Sequence, residues 1–335
     1  MVQDDQDPVQ RSGADIDLYE ISTWEPRTVL DRISIRVHWA IVRSSQFLVI
    51  LLAIIILVGI GGVSIVTEPA IGVLSILSII PAFALAAYVW HSDVTPNEPL
   101  SLMAATFVLS VLFAGFAALV NGFLQPNFAA LGFIGMMLFF FLVVGPIEET
   151  VKLLAVRAYA YTDDRFQTVL DGAVYGAIAG LGFATIENGI YIGRALAEVN
   201  GASLGLELIG LGGDITAIRA MAGPGHVVYS AFAGFYLGLA KFNPDNRGPI
   251  IVKGLIIAAV IHALYNSTVG LGAAFFQAIL GVPDIAAFFL FVVLYVSVFG
   301  YLLYRKLDRY RRAYQTYVDD EQVGIEQPEQ TPLER

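Results

Sequence analysis

The stretch Gly145-Pro146-Ile147-Glu148-Glu149-Thr150-Val151-Lys152 decides how this chain reads. Two adjacent carboxylates and a lysine interrupt an apolar run, 132–161, that otherwise has the length and character of a membrane-embedded helix. A charged side chain at the centre of a bilayer costs about 2.5–3.5 kcal/mol on insertion scales. Three of them within five residues must be paired, watered or functional.

The surrounding sequence is too apolar for an ordinary globular protein, with 57% hydrophobic residues, 14% charged residues and a mean hydropathy of +0.70. A spanning helix needs about 20 apolar residues. Eight segments approach or exceed that length, at about 47–66, 70–90, 100–120, 132–161, 168–193, 223–241, 250–271 and 285–304. None shows the two-residue alternation of a membrane barrel, so the fold class is an all-α polytopic membrane protein.

Before the spans lie an acidic tail, 1–26, expected to be disordered, and an arginine-bearing amphipathic stretch, 27–46, expected at the interface. The span region is 47–304, with its motifs in 145–270, and a basic-then-acidic tail follows at 305–335. With both termini in the cytoplasm, seventeen lysines and arginines lie inside and two, Arg194 and Arg219, outside. That asymmetry predicts a multi-pass protein of the plasma membrane with this orientation. The longest loop, 194–222, is then outside, as a connector or a surface segment gating a site below. The absence of cysteine excludes disulfides and thiolate chemistry, and no basic region suits nucleic acid.

Pro146 lacks an N–H and is expected to kink its helix. Glu148 and Lys152 stand at i, i+4 and Glu149 and Lys152 at i, i+3, while the two glutamates point about 100° apart. One carboxylate can be neutralised while the other faces elsewhere. In the fifth segment Gly172, Gly176, Gly180, Ala184 and Asn188 recur every four residues, a small-residue stripe that admits a close neighbouring helix. Glu187 lies near that face. His226 opens the sixth segment, and His262 and Asn266 share a face of the seventh, His262 about 18 Å in from Ile250. Setting aside charges at span ends, six ionisable residues remain: Glu148, Glu149, Lys152, Glu187, His226 and His262. They fall on four consecutive helices, and glutamates with histidines suit water activation by a general base or the binding of a metal. Their depths predict a common cavity in the outer half of the membrane, provided the fourth helix enters late, near 137–139.

The pattern resembles the PrsW family of intramembrane proteases, within a wider superfamily that includes the CAAX prenyl endopeptidases. Glu148-Glu149-Thr150-Val151-Lys152 is similar to the family's EExxK, Phe183 to Asn188 to FxxxEN, and His262 to Asn266 to HxxxN. His226 with Gly234 is similar to its histidine-led glycine helix. The resemblance implies peptide-bond hydrolysis in or beside the membrane. It makes Glu148 and Glu149 the water-activating carboxylates, with Glu148 as base and His226 assisting. His262 and Asn266 would bind the oxyanion, Asn188 would support, and Lys152 would keep one carboxylate ionised. Glu187 stands where CAAX-type relatives have histidine, which leaves base, proton shuttle and metal ligand open to it. Metal-free chemistry is favoured here because no HExxH pair is present. Zinc held by Glu148, Glu187, His226 and His262 is the variant reading. Family analogy suggests a membrane-anchored substrate such as an anti-sigma factor. An ion- or proton-coupled transporter and a non-catalytic scaffold are the alternatives from other classes.

Overall fold

The computed structural model describes residues 17–20, 23–94, 98–198 and 213–325. Most of the two acidic ends and residues 199–212 of the long loop lie outside the described residues. Two compact units divide the chain after Leu52. In the first, Asp17 and Glu25 pair with Arg27, and Tyr19 donates a hydrogen bond to Asp31. Residues of the interfacial stretch and of the first span run in one unbroken helix, α1, Val29–Gly59.

The remaining long helices are α2 (Pro69–His91), α3 (Leu100–Ala129), α4 (Gly132–Ala158), α5 (Val169–Glu198), α6 (Gly213–Lys241), α7 (Arg247–Leu280) and α8 (Asp284–Ile325). The fold is all-α, and seven described helices are long and apolar enough to cross a membrane. The exception is α6, whose glycines, tyrosines and histidine lower its hydropathy. It can be less apolar because it is sheathed: nearly every residue from Gly225 to Ala240 is buried. Its partner α5 is 89% buried over its most apolar window, against 11% for α8. α5 and α6 therefore form the protein-covered centre, and α8 presents apolar side chains outward, as a lipid-facing helix does.

The glycine stripe explains the central pair. A Cβ on Gly234 would lie 2.0 Å from the Gly172 carbonyl oxygen, and one on Gly180 would lie 2.4 Å from that of His226. The backbones meet with no side chain between them, which fixes the register that sets His226 beside α5. Ser110 on α3 ties down the other side of α5 by donating to the Ala179 carbonyl at 2.6 Å.

Two local features differ from the sequence expectation. The distortion at Pro146 takes the form of a π turn, Phe140–Val144, inside α4. A wider turn relieves the clash between the proline ring and the preceding carbonyls, and such turns recur at functional sites. Beside it Gly145 lets α7 approach, since a Cβ there would lie 2.5 Å from the Ala259 oxygen. Second, Gly223-Pro224-Gly225 does not open the sixth helix. α6 starts ten residues earlier at Gly213, with Pro224 inside it. Packed neighbours let a membrane helix carry such a break. His226 consequently sits well within its helix, and Arg219 lies on the same helix about two turns before it.

Candidate active site

Lys152 is the hub of the site and is 1% exposed. Its Nζ donates to Glu149 Oε1 at 2.7 Å, lies 2.9 Å from His226 Nδ1, and sits 4.3 Å from the centre of the Phe183 ring. Glu148 Oε2 is farther, at 4.0 Å. The i, i+3 partner thus wins over the i, i+4 one, because Glu149 points into α6 and α7. There Glu149 also accepts from Ser230 Oγ at 3.1 Å and from His262 Nδ1 at 2.9 Å. Its carboxylate is fully occupied.

Glu148 is turned toward α3, where Asn121 Nδ2 donates to its Oε1 at 2.9 Å. Its Oε2 is buried without a hydrogen-bond partner among the described residues and lies 3.7 Å from His262 Nε2. Hydrogen bonding fixes the tautomers. An ammonium group only donates, so His226 Nδ1 accepts from Lys152 and Nε2–H faces Glu187 Oε2 at 3.0 Å. An ionised carboxylate only accepts, so His262 presents Nδ1–H to Glu149 and a bare Nε2 to Glu148. Glu187 is held from its other side by Arg219, whose Nε also donates to Asn188 Oδ1 at 2.9 Å.

All six ionisable residues singled out in the sequence therefore join one network across α4, α5, α6 and α7. Glu148, Glu187, His226, His262 and Asn266 line a cavity of about 260 Å³. Glu149 and Lys152 lie behind it. Asn188 is spent on Ser78 and Arg219, away from Glu148. Sequence reading missed three contributors. Asn121 and Gln125 on α3 and Arg219 on α6 all line the same cavity. The available signals were two amides four apart at the end of an apolar run, and an arginine that is one of only two expected on its side of the membrane.

Among the described residues, Glu148, His226 and His262 offer ligand atoms all within 4.8 Å of one another. Tetrahedral zinc with bonds of about 2.0–2.1 Å sets its ligands about 3.4 Å apart. The 3.7 Å between Glu148 Oε2 and His262 Nε2 is close to that spacing, and Glu148 Oε2 has no hydrogen-bond partner among the described residues. His226 completes the set only by giving up Glu187. With that exchange the donor chemistry fits a divalent cation.

A second acidic group, Asp93, Glu98 and Asp171, lies at the other end of α5, its ligand atoms also within 4.8 Å of one another. It does not belong to this site: Asp171 is sixteen residues, about 24 Å of helix, from Glu187. Burial pushes the Glu98 carboxyl up to about 8, with the Asp171 and Asp93 carboxylates adding to the shift against a hydrogen bond from the Tyr175 hydroxyl.

The family described as PrsW family intramembrane metalloprotease matches residues 98–299, which contain this entire network. The chain belongs to the PrsW family. Among its relatives, Protease PrsW of Halalkalibacterium halodurans is 28% identical over 233 residues, 69% of this chain and 97% of the relative. Protease PrsW of Bacillus subtilis is 30% identical over 190 residues, covering 56% and 78%. That of Geobacillus kaustophilus is 32% identical over 191 residues, covering 56% and 76%. No solved structure matches. As a PrsW-family member the chain is an intramembrane peptidase, a hydrolase, and a multi-pass protein of the cell membrane. Neither the carrier nor the scaffold reading gains support from these matches.

Proposed function

We propose that this PrsW-family protein cleaves a peptide bond of a membrane-anchored protein, with Glu148 as the base that activates the hydrolytic water. The observation that carries the reading is the buried, unpartnered Glu148 Oε2 facing the bare Nε2 of His262 in a cavity. A water placed there gives hydrogen bonds to both acceptors, which leaves its oxygen lone pair toward the substrate carbonyl. Glu148 takes the water proton as the C–O bond forms and returns it to the peptide nitrogen as the C–N bond breaks. Glu149 holds His262 in the required tautomer. Because His262 Nε2 is bare, the developing oxyanion falls to donors such as Asn266 and the Tyr229 hydroxyl, both lining the cavity. The Tyr229 hydroxyl has no hydrogen-bond partner among the described residues. With both termini in the cytoplasm, the cavity opens toward the outer half of the membrane.

A second reading has a specific observation behind it. Two bare acceptors 3.7 Å apart repel unless a proton, a water or a cation lies between them. A zinc ion held by Glu148, His226 and His262 would supply Lewis-acid polarisation of the water. The chain's own residues keep their tasks: Glu149 orients His262, Lys152 balances the charge, and Glu187 is left as the proton acceptor nearest His226.

The test compares membrane-protein fragments in cells carrying wild type and Glu148→Gln. A truncated membrane protein present only with wild type is the expected result, and its persistence in the variant rejects Glu148 as base. Metal analysis of purified protein then separates the readings. Chelator-resistant cleavage by metal-free protein supports the first, while loss on chelation with rescue by zinc supports the second.

A further inference from the structure

The cavity beside Glu148 continues into a second lobe of about 140 Å³ between α3 and α5. Asn121, Gln125, Glu148, Glu187 and Tyr191 line both lobes, so Glu148 stands where they meet. We infer that Asn121 and Gln125 form a peptide-binding site that holds an unwound stretch of the substrate's transmembrane segment across Glu148. The inference rests on cleavage occurring beside Glu148.

Three observations support it. First, Asn121 and Gln125 are four residues apart on α3, so their amides project from one face. Second, Asn121 spends its Nδ2 on Glu148 Oε1 at 2.9 Å, which turns its Oδ1 away. That oxygen is buried with no hydrogen-bond partner among the described residues. Third, beside these amides the α3 side of the second lobe carries small residues, Ala114, Ala118 and Gly122, facing the larger side chains of α5, and a Cβ on Gly122 would meet nothing within 4 Å. There is room for a chain against α3.

The chemistry selects the occupant. A peptide bond within a helix has its N–H and C=O bonded internally, and its carbonyl is shielded from attack. Once unwound in a membrane, those groups need partners from protein, since lipid offers none. Asn and Gln side chains carry a carbonyl acceptor and N–H donors together, so each can match a peptide group in either sense. Asn121 joins the two tasks: the amide that orients the base also presents an acceptor to the substrate N–H. Gln125 touches none of the ionisable groups through a described hydrogen bond, so its part is binding alone.

The experiment uses full-length protein in lipid nanodiscs and the membrane-anchored protein it cleaves. Gln125→Leu is expected to raise KM about fivefold with kcat within about twofold, the loss of one hydrogen bond. Asn121→Leu is expected to lower kcat at least about tenfold as well, because Glu148 loses its orienting bond. A photo-crosslinker at position 125 should attach to substrate residues within a few positions of the cleaved bond, while one at the outward-facing Phe123 should not. The chain has no cysteine, so a single Cys at 125 gives an independent disulfide version of that map. An unchanged KM in correctly folded Gln125→Leu, or cross-links scattered away from the cleaved bond, overturns the inference. Cleavage that survives Glu148→Gln instead overturns the role of Glu148, and the KM of Gln125→Leu still reports on the cleft.

Discussion

Glu148 and Glu149 are neighbours in sequence, yet the same substitution should affect them in different ways. Glu149 is wholly buried and accepts from Lys152, His262 and Ser230. Glu149→Gln keeps the shape, removes the charge and turns an NH2 group toward at least one of those donors. It also strands the Lys152 ammonium. Removing one partner of a buried ion pair costs about 3–5 kcal/mol. Glu148→Gln loses less, because the bond from Asn121 survives on the amide oxygen. Its attraction to Lys152 at 4.0 Å is worth about 4 kcal/mol at an effective dielectric of 20. The desolvation of the carboxylate, several kcal/mol, disappears with it. The two terms leave Glu148→Gln within about 1–2 kcal/mol of wild type, at least about 1 kcal/mol more stable than Glu149→Gln. Denaturant unfolding in micelles, with chelator present so that no ion contributes, measures the gap, and cleavage is assayed in parallel. Glu148→Gln should be stable and inactive. Glu149→Gln should be unstable and also impaired, since His262 loses the acceptor that fixes its tautomer; losing such an acceptor in a serine-protease triad costs about 10⁴ in rate. Equal stability losses, or a Glu149→Gln variant as stable as wild type, would refute this division between anchor and base.

Three further outcomes follow from the same geometry. Arg219→Gln should lower cleavage about 10–100-fold, and Arg219→Lys should not restore it, because an ammonium cannot bond Glu187 and Asn188 together as the guanidinium fork does; cleavage rates of the two variants check this. Gly234→Val should prevent the α5–α6 approach, since even its Cβ would lie 2.0 Å from the Gly172 oxygen, and a loss of at least about 3 kcal/mol should appear in detergent unfolding. Glu98 ordinarily titrates near 4.5 and in the folded protein at about 8, so between these values the unfolded chain sheds a proton that the folded protein keeps. Stability should therefore fall as pH rises from about 4.5 to 8 and level off above, and Glu98→Gln should flatten that slope in melting curves.

Much of this architecture was legible because the bilayer simplifies the sequence problem. Long apolar runs become helices, and ionisable residues inside them stand out by cost alone, which brought Glu148, Glu187, His226 and His262 forward together. The glycine stripe of α5 predicted a close neighbour, and α6 is that neighbour. The start of α6 was misread because Gly223-Pro224-Gly225 is a breaker signal in water, whereas packed helices tolerate it. Asn121, Gln125 and Arg219 stayed hidden for a different reason. Singly, an amide near a helix end or an arginine by a loop costs little and signals nothing. Their meaning lies in what faces them, 27 residues away for Asn121 and Glu148 and 32 for Arg219 and Glu187.

The division of labour between the two glutamates carries the same point further. Helical spacing alone offers Lys152 to both, and surface-helix preference favours Glu148 at i, i+4. The choice is made by the helices on either side. α6 and α7 bring two donors, Ser230 and His262, to Glu149, so the lysine joins a carboxylate that already accepts hydrogen bonds from both helices. α3 brings Glu148 only the amide of Asn121, which leaves one oxygen bare. A carboxylate with a bare oxygen in a buried cavity is poorly stabilised as structure, and for that reason it is available as a reagent. On the mechanism proposed above, the reactive glutamate is the one its neighbours leave least satisfied, a property that belongs to the packing of α3, α6 and α7 around α4 rather than to the motif itself.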